Sequence, residues 1–150
     1  MRITTYQTRF NEERIIALVK EKSVNYPEME VVDSPEICAK MMELLFQASE
    51  LPEEHFYVIA FNGARRVSGV FDVTHGTLMN SLVHPREVFA RAILSGAASI
   101  IIVHNHPSGV LDISEQDREV TRRIKQAGEL LGIRLDDHLI LGSGNFVSAM

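Results

Sequence analysis

Two histidines, His104 and His106, follow directly on the apolar run Ser99-Ile100-Ile101-Ile102-Val103. Side chains two apart on an extended chain point to the same face, so both imidazoles can reach one metal ion. A catalytic zinc takes three protein ligands and keeps one position open for water. Asp117 can be the third ligand: Ser114-Glu115-Gln116-Asp117 reads as a helix start, and the turn at Pro107-Ser108-Gly109 can fold it back over the histidines. Zinc lowers the pKa of its bound water to roughly 7, a carboxylate from elsewhere in the chain serves as general base, and a hydroxyl such as that of Ser114 donates to the developing oxyanion. Other readings compete. His-x-His alone is a weak signal, and Ser114-x-x-Asp117 also fits a capping box, in which the acid complements the helix dipole. The coincidence of both at the end of an apolar strand has no structural need and points to a metal site.

The elements that must position these groups follow from pattern. The run 99–103 reads as a strand covered on both faces, delivering the histidines to its end. Residues 114–131 carry Val120, Ile124, Ala127 and Leu131 on one helical face, with Gly132 placed to cap the C-terminus. Upstream, Ser34 and Pro35 open an amphipathic helix over 34–48, with Ile37, Met41, Leu44 and Leu45 on one stripe. Runs 55–61 and 66–73 are β-rich around a hairpin turn at Asn62-Gly63-Ala64-Arg65, a third run spans 77–83, and Pro85 opens a helix over 86–96. Two strands, 139–142 and 145–149, close the chain around Ser143-Gly144. Near the N-terminus, 2–8 leans to strand and 11–22, with Ile15, Ile16 and Val19 on one side, to helix. Interspersed strands and helices predict an α/β or α+β domain on a mixed sheet.

Composition narrows the function. At 150 residues, 45% hydrophobic and 23% charged, the chain holds one ordinary globular domain. A net charge of -5 and a pI near 5.7 give no electrostatic footprint for a polyanion, which disfavours tight direct nucleic-acid binding. The single cysteine, Cys38, rules out an intramolecular disulfide and a two-cysteine zinc deaminase centre, and reads as a buried, inert thiol in a reducing setting. No apolar run approaches the ~20 residues of a membrane helix, and no signal-peptide pattern opens the chain. A cytoplasmic location without membrane attachment is the expectation.

His104-x-His106, seven residues, then Ser114-x-x-Asp117 resembles the JAMM (MPN+, JAB) metalloprotease motif. The surrounding His104-Asn105-His106-Pro107-Ser108-Gly109, Pro85-Arg86-Glu87, Gly76-Thr77 and Asp137-His138 resemble the RadC family of JAMM-domain proteins over about residues 30–150. The resemblance implies a three-layer, cytidine-deaminase-like α/β/α arrangement with a mixed sheet. It further implies zinc held by His104, His106 and Asp117, with Ser114 in the oxyanion role. The general base it implies lies at the entry to the strand after the first domain helix. Glu54 occupies that place, with Glu53 as runner-up and Glu87 behind both. Residues 1–29 are then an extension carrying a short strand and helix. RadC proteins carry a longer N-terminal region with a helix-hairpin-helix, which weakens any DNA role here. Between Gly109 and Ser114 the sequence Val110-Leu111-Asp112-Ile113 keeps the family's length and changes its residues.

The leading function is therefore a zinc metallopeptidase acting on peptide or isopeptide bonds, with an unidentified protein or peptide as substrate. The alternative is a DNA-repair or mobile-element accessory protein, working with nucleic acid or through protein partners without proteolysis. The literal His-Asn-His string is no nuclease signature, because HNH nucleases take their residues from separated positions. An exposed sheet edge or the N-terminal segment leaves room for a homodimer. Elsewhere, His138 is either a support to the site or half of a structural pair with Asp137. His84 is placed to cap the helix at Pro85. His55 and His75 read as surface or turn residues, and Arg122, Arg123 and Lys125 as a solvated face.

Overall fold

In the computed structural model, which describes residues 1–76 and 83–150, one seven-stranded mixed sheet runs through the molecule in the order β2-β1-β4-β3-β5-β6-β7. Its strands are β1 (Arg2–Phe10), β2 (Ile16–Asn25), β3 (Glu54–Phe61), β4 (Val67–Gly76), β5 (Ser99–Asn105), β6 (Arg134–Gly142) and β7 (Asn145–Ser148). The β1/β4 and β5/β6 pairs are parallel and the rest antiparallel. Helix α1 (Pro35–Phe46) covers one face, and α2 (Pro85–Leu94) with α3 (Glu115–Leu131) covers the other. This is the expected three-layer α/β/α arrangement.

Strand β5 lies between β3 and β6 with all seven residues buried, as its unbroken apolar run requires. Its alternation sends Ile101 and Val103 into the core under α1, and Ile100 and Ile102 into the core under α2 and α3. Continuing that alternation places His104 and His106 on the face of α2 and α3, with Asn105 on the other. The hairpin at 62–65 forms as expected, because the Asn62 side chain accepts hydrogen bonds from the N–H groups of Ala64 and Arg66 at 2.9 and 3.1 Å. Ser34 and Ser114 cap α1 and α3. His84 stands at the N-cap of α2, but its side chain makes no capping bond. Cys38 is buried in α1, and burial, followed by the charges of Asp137 and Asp136, pushes its thiol up to about 12.

One expectation is overturned. The stretch 11–22, read as helix, is a turn followed by the first half of β2, which pairs antiparallel with β1. The Asn11 side chain accepts from the N–H groups of Glu13 and Ile15 and closes that turn. With Ile15 and Ile16 exposed, the three-residue apolar spacing had no core to face, and the β-leaning partner strand decided the outcome. The extension is thus a hairpin joined to β4 through the single ladder pair Thr5–Val70. The β-rich run at 77–83 falls, apart from Val83, outside the described residues, as does Thr77. No helix among the described residues is long and apolar enough to cross a membrane.

Candidate metal centre

Three elements converge at the C-terminal end of β5. His104 Nε2 and His106 Nε2 stand 3.0 Å apart. From the first turn of α3, Asp117 brings Oδ1 to 3.1 Å from His104 Nε2 and Oδ2 to 3.6 Å from His106 Nε2. Tetrahedral ligands with bonds of ~2.0–2.1 Å to zinc lie about 3.3 Å from one another. The three measured edges bracket that value.

The protonation pattern is dictated from behind the imidazoles. Thr121 donates its hydroxyl proton to the Asp117 carbonyl at 2.8 Å, so its oxygen can only accept from His138 Nδ1, 2.6 Å away. Burial, with the nearby His104 adding to it, pushes the His138 pKa down to about 3, so the ring is neutral and its Nε2 is an acceptor. That acceptor lies 2.9 Å from His104 Nδ1, which therefore carries the proton and leaves His104 Nε2 bare. On the neighbouring ring, His106 Nδ1 lies 2.8 Å from the Val110 carbonyl, which can only accept, so a neutral His106 also presents a bare Nε2. Two lone pairs and a carboxylate then face one another, a grouping that is reconciled by a proton on His106, whose pKa the Asp117 contact raises, or by a metal ion in its place. The donor set fits a divalent ion of borderline softness.

Asp117 serves both readings of the helix start at once. Its Oδ2 accepts from the Ser114 N–H at 2.8 Å, and its own N–H donates to Ser114 Oγ at 3.1 Å, which completes the capping box. Burial alone would raise its pKa, but without an ion the protonated Nε2 atoms of His104 and His106, with the Ser114 N–H, outweigh that and hold the carboxyl well below the usual carboxylate range; a metal ion takes the place of those two protons. Ser114 Oγ accepts in the cap, and its O–H proton is still available toward the cavity it lines.

Of the three carboxylates weighed as base, Glu54 alone brings a carboxylate oxygen within 4.8 Å of ring nitrogens of both His104 and His106. Glu53 lines the same cavity, but its backbone is what is held, through its carbonyl. Glu87 pairs with Arg91 at 3.3 Å on α2. The residue that sets Glu54 in place is Asn105, which sequence reasoning passed over. Backbone pairing of β3 with β5 stops at Phe56–His104. Beyond it, Asn105 Oδ1 accepts from the His55 N–H at 2.7 Å and its amide donates to the Glu53 carbonyl at 2.9 Å. A fully buried asparagine between two histidines, in an otherwise apolar strand, was the available signal. Thr121 was likewise unsuspected, while His138, through its contacts with His104 and Thr121, takes the first of its two readings, a support to the site.

The turn after His106 is held against the β6–β7 corner. His106 N–H donates to the Leu141 carbonyl at 2.8 Å, and Gly109 closes the turn onto the His106 carbonyl at 2.9 Å. Gly109 has φ +78°, and a Cβ there would lie 2.2 Å from Ser143 Oγ. The centre opens into a cavity of about 540 Å³ whose apolar wall includes Phe56, Val83, Pro107 and Val120. No lysine or arginine stands among its described lining residues.

These features define an α/β domain with a histidine-rich strand end closed by a helix-start carboxylate. The family model for the RadC-like JAB domain matches residues 32–150, and the chain belongs to that family. It is 43% identical over 138 residues to a UPF0758 protein of Clostridium kluyveri, covering 90% of this chain and 60% of that protein. A UPF0758 protein of Pelobacter propionicus is 43% identical over 103 residues, covering 69% of this chain and 45% of that protein. That of Symbiobacterium thermophilum is 49% identical over 100 residues, covering 67% and 43%. The chain thus spans about half the length of the curated relatives it matches. None of these names states an activity.

Proposed function

We propose that the domain is a zinc-dependent hydrolase of peptide or isopeptide bonds. The observation that carries this reading is the convergence of two imidazole Nε2 atoms and the Asp117 carboxylate beside the carboxylate of Glu54, on a separate strand, at the mouth of a cavity. His104, His106 and Asp117 would hold the ion, which when bound supplies a Lewis acid that lets water lose a proton near neutral pH. Glu54 takes up that proton and releases it to the departing amine. Ser114 turns its free O–H toward the substrate carbonyl oxygen as negative charge develops there. Phe56, Val83 and Val120 exclude water around the scissile bond. The absence of lysine and arginine from the described lining supports a neutral amide over a phosphate-bearing substrate.

The test uses tag-free protein loaded with zinc and screened against quenched peptide and isopeptide libraries with mass-spectrometric readout. Glu54→Gln is expected to keep its metal and lose roughly 100-fold or more of the turnover, the usual worth of a positioned base. Full activity in that variant would reject Glu54 as the base. Zinc-loaded protein that cleaves nothing in the libraries would reject peptide hydrolysis and turn attention to a role exerted through protein partners.

A further inference from the structure

On the opposite face of the sheet, one residue along β3 from Glu54, a second set of metal-ligating side chains stands together. His55 Nδ1 lies 2.9 Å from Asp72 Oδ2. The His55 and His75 rings stack with centroids 5.2 Å apart at 19°. One donor atom from each of His55, Asp72 and His75 falls within 4.8 Å of the others.

The backbone explains how residues 72 and 75 come to share a face. In a regular strand, positions three apart point to opposite sides. Here the β3–β4 register shifts, so that Phe56 pairs with Thr74 and Tyr57 with Asp72, leaving Val73 as the extra residue of a β-bulge. The bulge turns Asp72 and His75 to the same side as His55, which pairs across the ladder with His75.

Local charge also favours a cation. Burial raises the Asp72 pKa, His55 and His75 lower it in part, and Glu21 raises it again, so this carboxyl sits partly desolvated beside a second acid. Glu43, like Asp72, acts on the buried Tyr57 under the His55 ring. Among the described residues no lysine or arginine pairs with Asp72, and Lys22 on β2, two strands away, gives its ammonium to the Leu45 carbonyl at 3.0 Å. Asp72 and His75 are exposed and His55 is half-buried, so an ion can arrive without opening the fold.

We propose that His55, Asp72 and His75 form a second divalent-metal site, of the two-imidazole, one-carboxylate type that suits zinc, nickel or cobalt. An ion there ties the end of β3 to the end of β4, one residue from the Glu54–Gly76 pair. Among the described residues the His55–Asp72 contact is the one hydrogen bond that orders these donor side chains, so binding is weaker than at the strand-end centre. The site is independent of the hydrolase reading.

The probe is Zn²⁺ alone, titrated calorimetrically into chelator-stripped, tag-free protein, with imidazole ¹⁵N shifts as a second readout. Wild type is expected to take two equivalents, and His75→Ala and Asp72→Asn one tight equivalent each. Asp117→Ala is expected to keep only the weaker one, with the His55 and His75 resonances moving. Adding His75→Ala to Asp117→Ala should cut the remaining affinity on the order of tenfold or more. The proposal is overturned if zinc leaves the His55 and His75 resonances of wild type unmoved, or if His75→Ala leaves the weaker equivalent and the zinc response of the His55 resonance unchanged. Neither outcome bears on whether Glu54→Gln stops hydrolysis.

Discussion

The two histidine–carboxylate groups stand back to back across the end of one sheet, built from the same residue types and prepared to different degrees. At the β5 end, each donor has a partner behind it: His138 and Thr121 behind His104, the Val110 carbonyl behind His106, and the Ser114 N–H on Asp117. At the β3–β4 end, among the described residues, one side-chain hydrogen bond, between His55 and Asp72, orders the group, beside the stacking of the His55 ring on His75 and Tyr57. Composition sets which ions a group can take. The supporting hydrogen bonds set how much ordering is left for the ion to do, and so how tightly it is held.

The sharpest way to break this contrast is Asp117→Ala. It removes the proposed third ligand and the capping bond together, so affinity at the strand-end centre is expected to fall by more than the roughly 10–100-fold that loss of a supporting contact costs. The cap itself contributes about 1 kcal/mol of folding stability, visible as a lower denaturation midpoint without metal.

Next comes the support alone. His138→Phe fills the space and removes the acceptor for His104 Nδ1, with an expected loss of about 10–100-fold in zinc affinity at that centre and none at the other. His138→Gln, able to accept from His104 and donate to Thr121, should recover most of it. Equal effects from the two substitutions would mean that His138 serves packing only.

Gly109→Ala probes the turn. A Cβ there meets Ser143 Oγ while the backbone keeps φ +78°. A loss of about 1–3 kcal/mol in urea unfolding is expected, together with a smaller drop in affinity through His106.

The smallest effect belongs to the less prepared group. Burial raises the Asp72 pKa in the folded protein, so the native state binds this proton more tightly than the unfolded chain does. The sign follows: stability from this group is greatest below its unfolded value and declines as pH rises through the folded one. Asp72→Asn should therefore gain slightly on wild type, in metal-free protein, as pH climbs from about 4 to 7, read from paired thermal melts. A wild-type advantage that grows over that range would reverse the assignment.

How much of this was legible depended on how local each cause was. The buried β5 could be read because four consecutive β-branched residues leave little alternative, and Ser114-x-x-Asp117 because a helix start is a local event. The strand at 16–25 was misread because its decisive partner, β1, is joined through a turn closed by the Asn11 side chain, and its apolar spacing fits either period. For His138 the sequence left open a support to the site or a structural pair with Asp137, and choosing between them needs the parallel β5–β6 register and the packing of α3 over it. His75 is exposed, as a surface reading requires, while His55 is half-buried in β3, and their meeting with Asp72 depends on a one-residue bulge that no pattern in the sequence announces.

Strand β5 is hydrogen-bonded on both sides and buried along its whole length, whereas β2 is paired on one side only. Its amides should therefore be among the last to exchange with heavy water, at a rate set by opening of the entire sheet, while those of β2 exchange through local fraying. The imidazoles of His104 and His106 inherit that persistence. Drawing the proposed ion out with a chelator would then leave behind a mould rather than a loose end, and reloading is expected to need no refolding step.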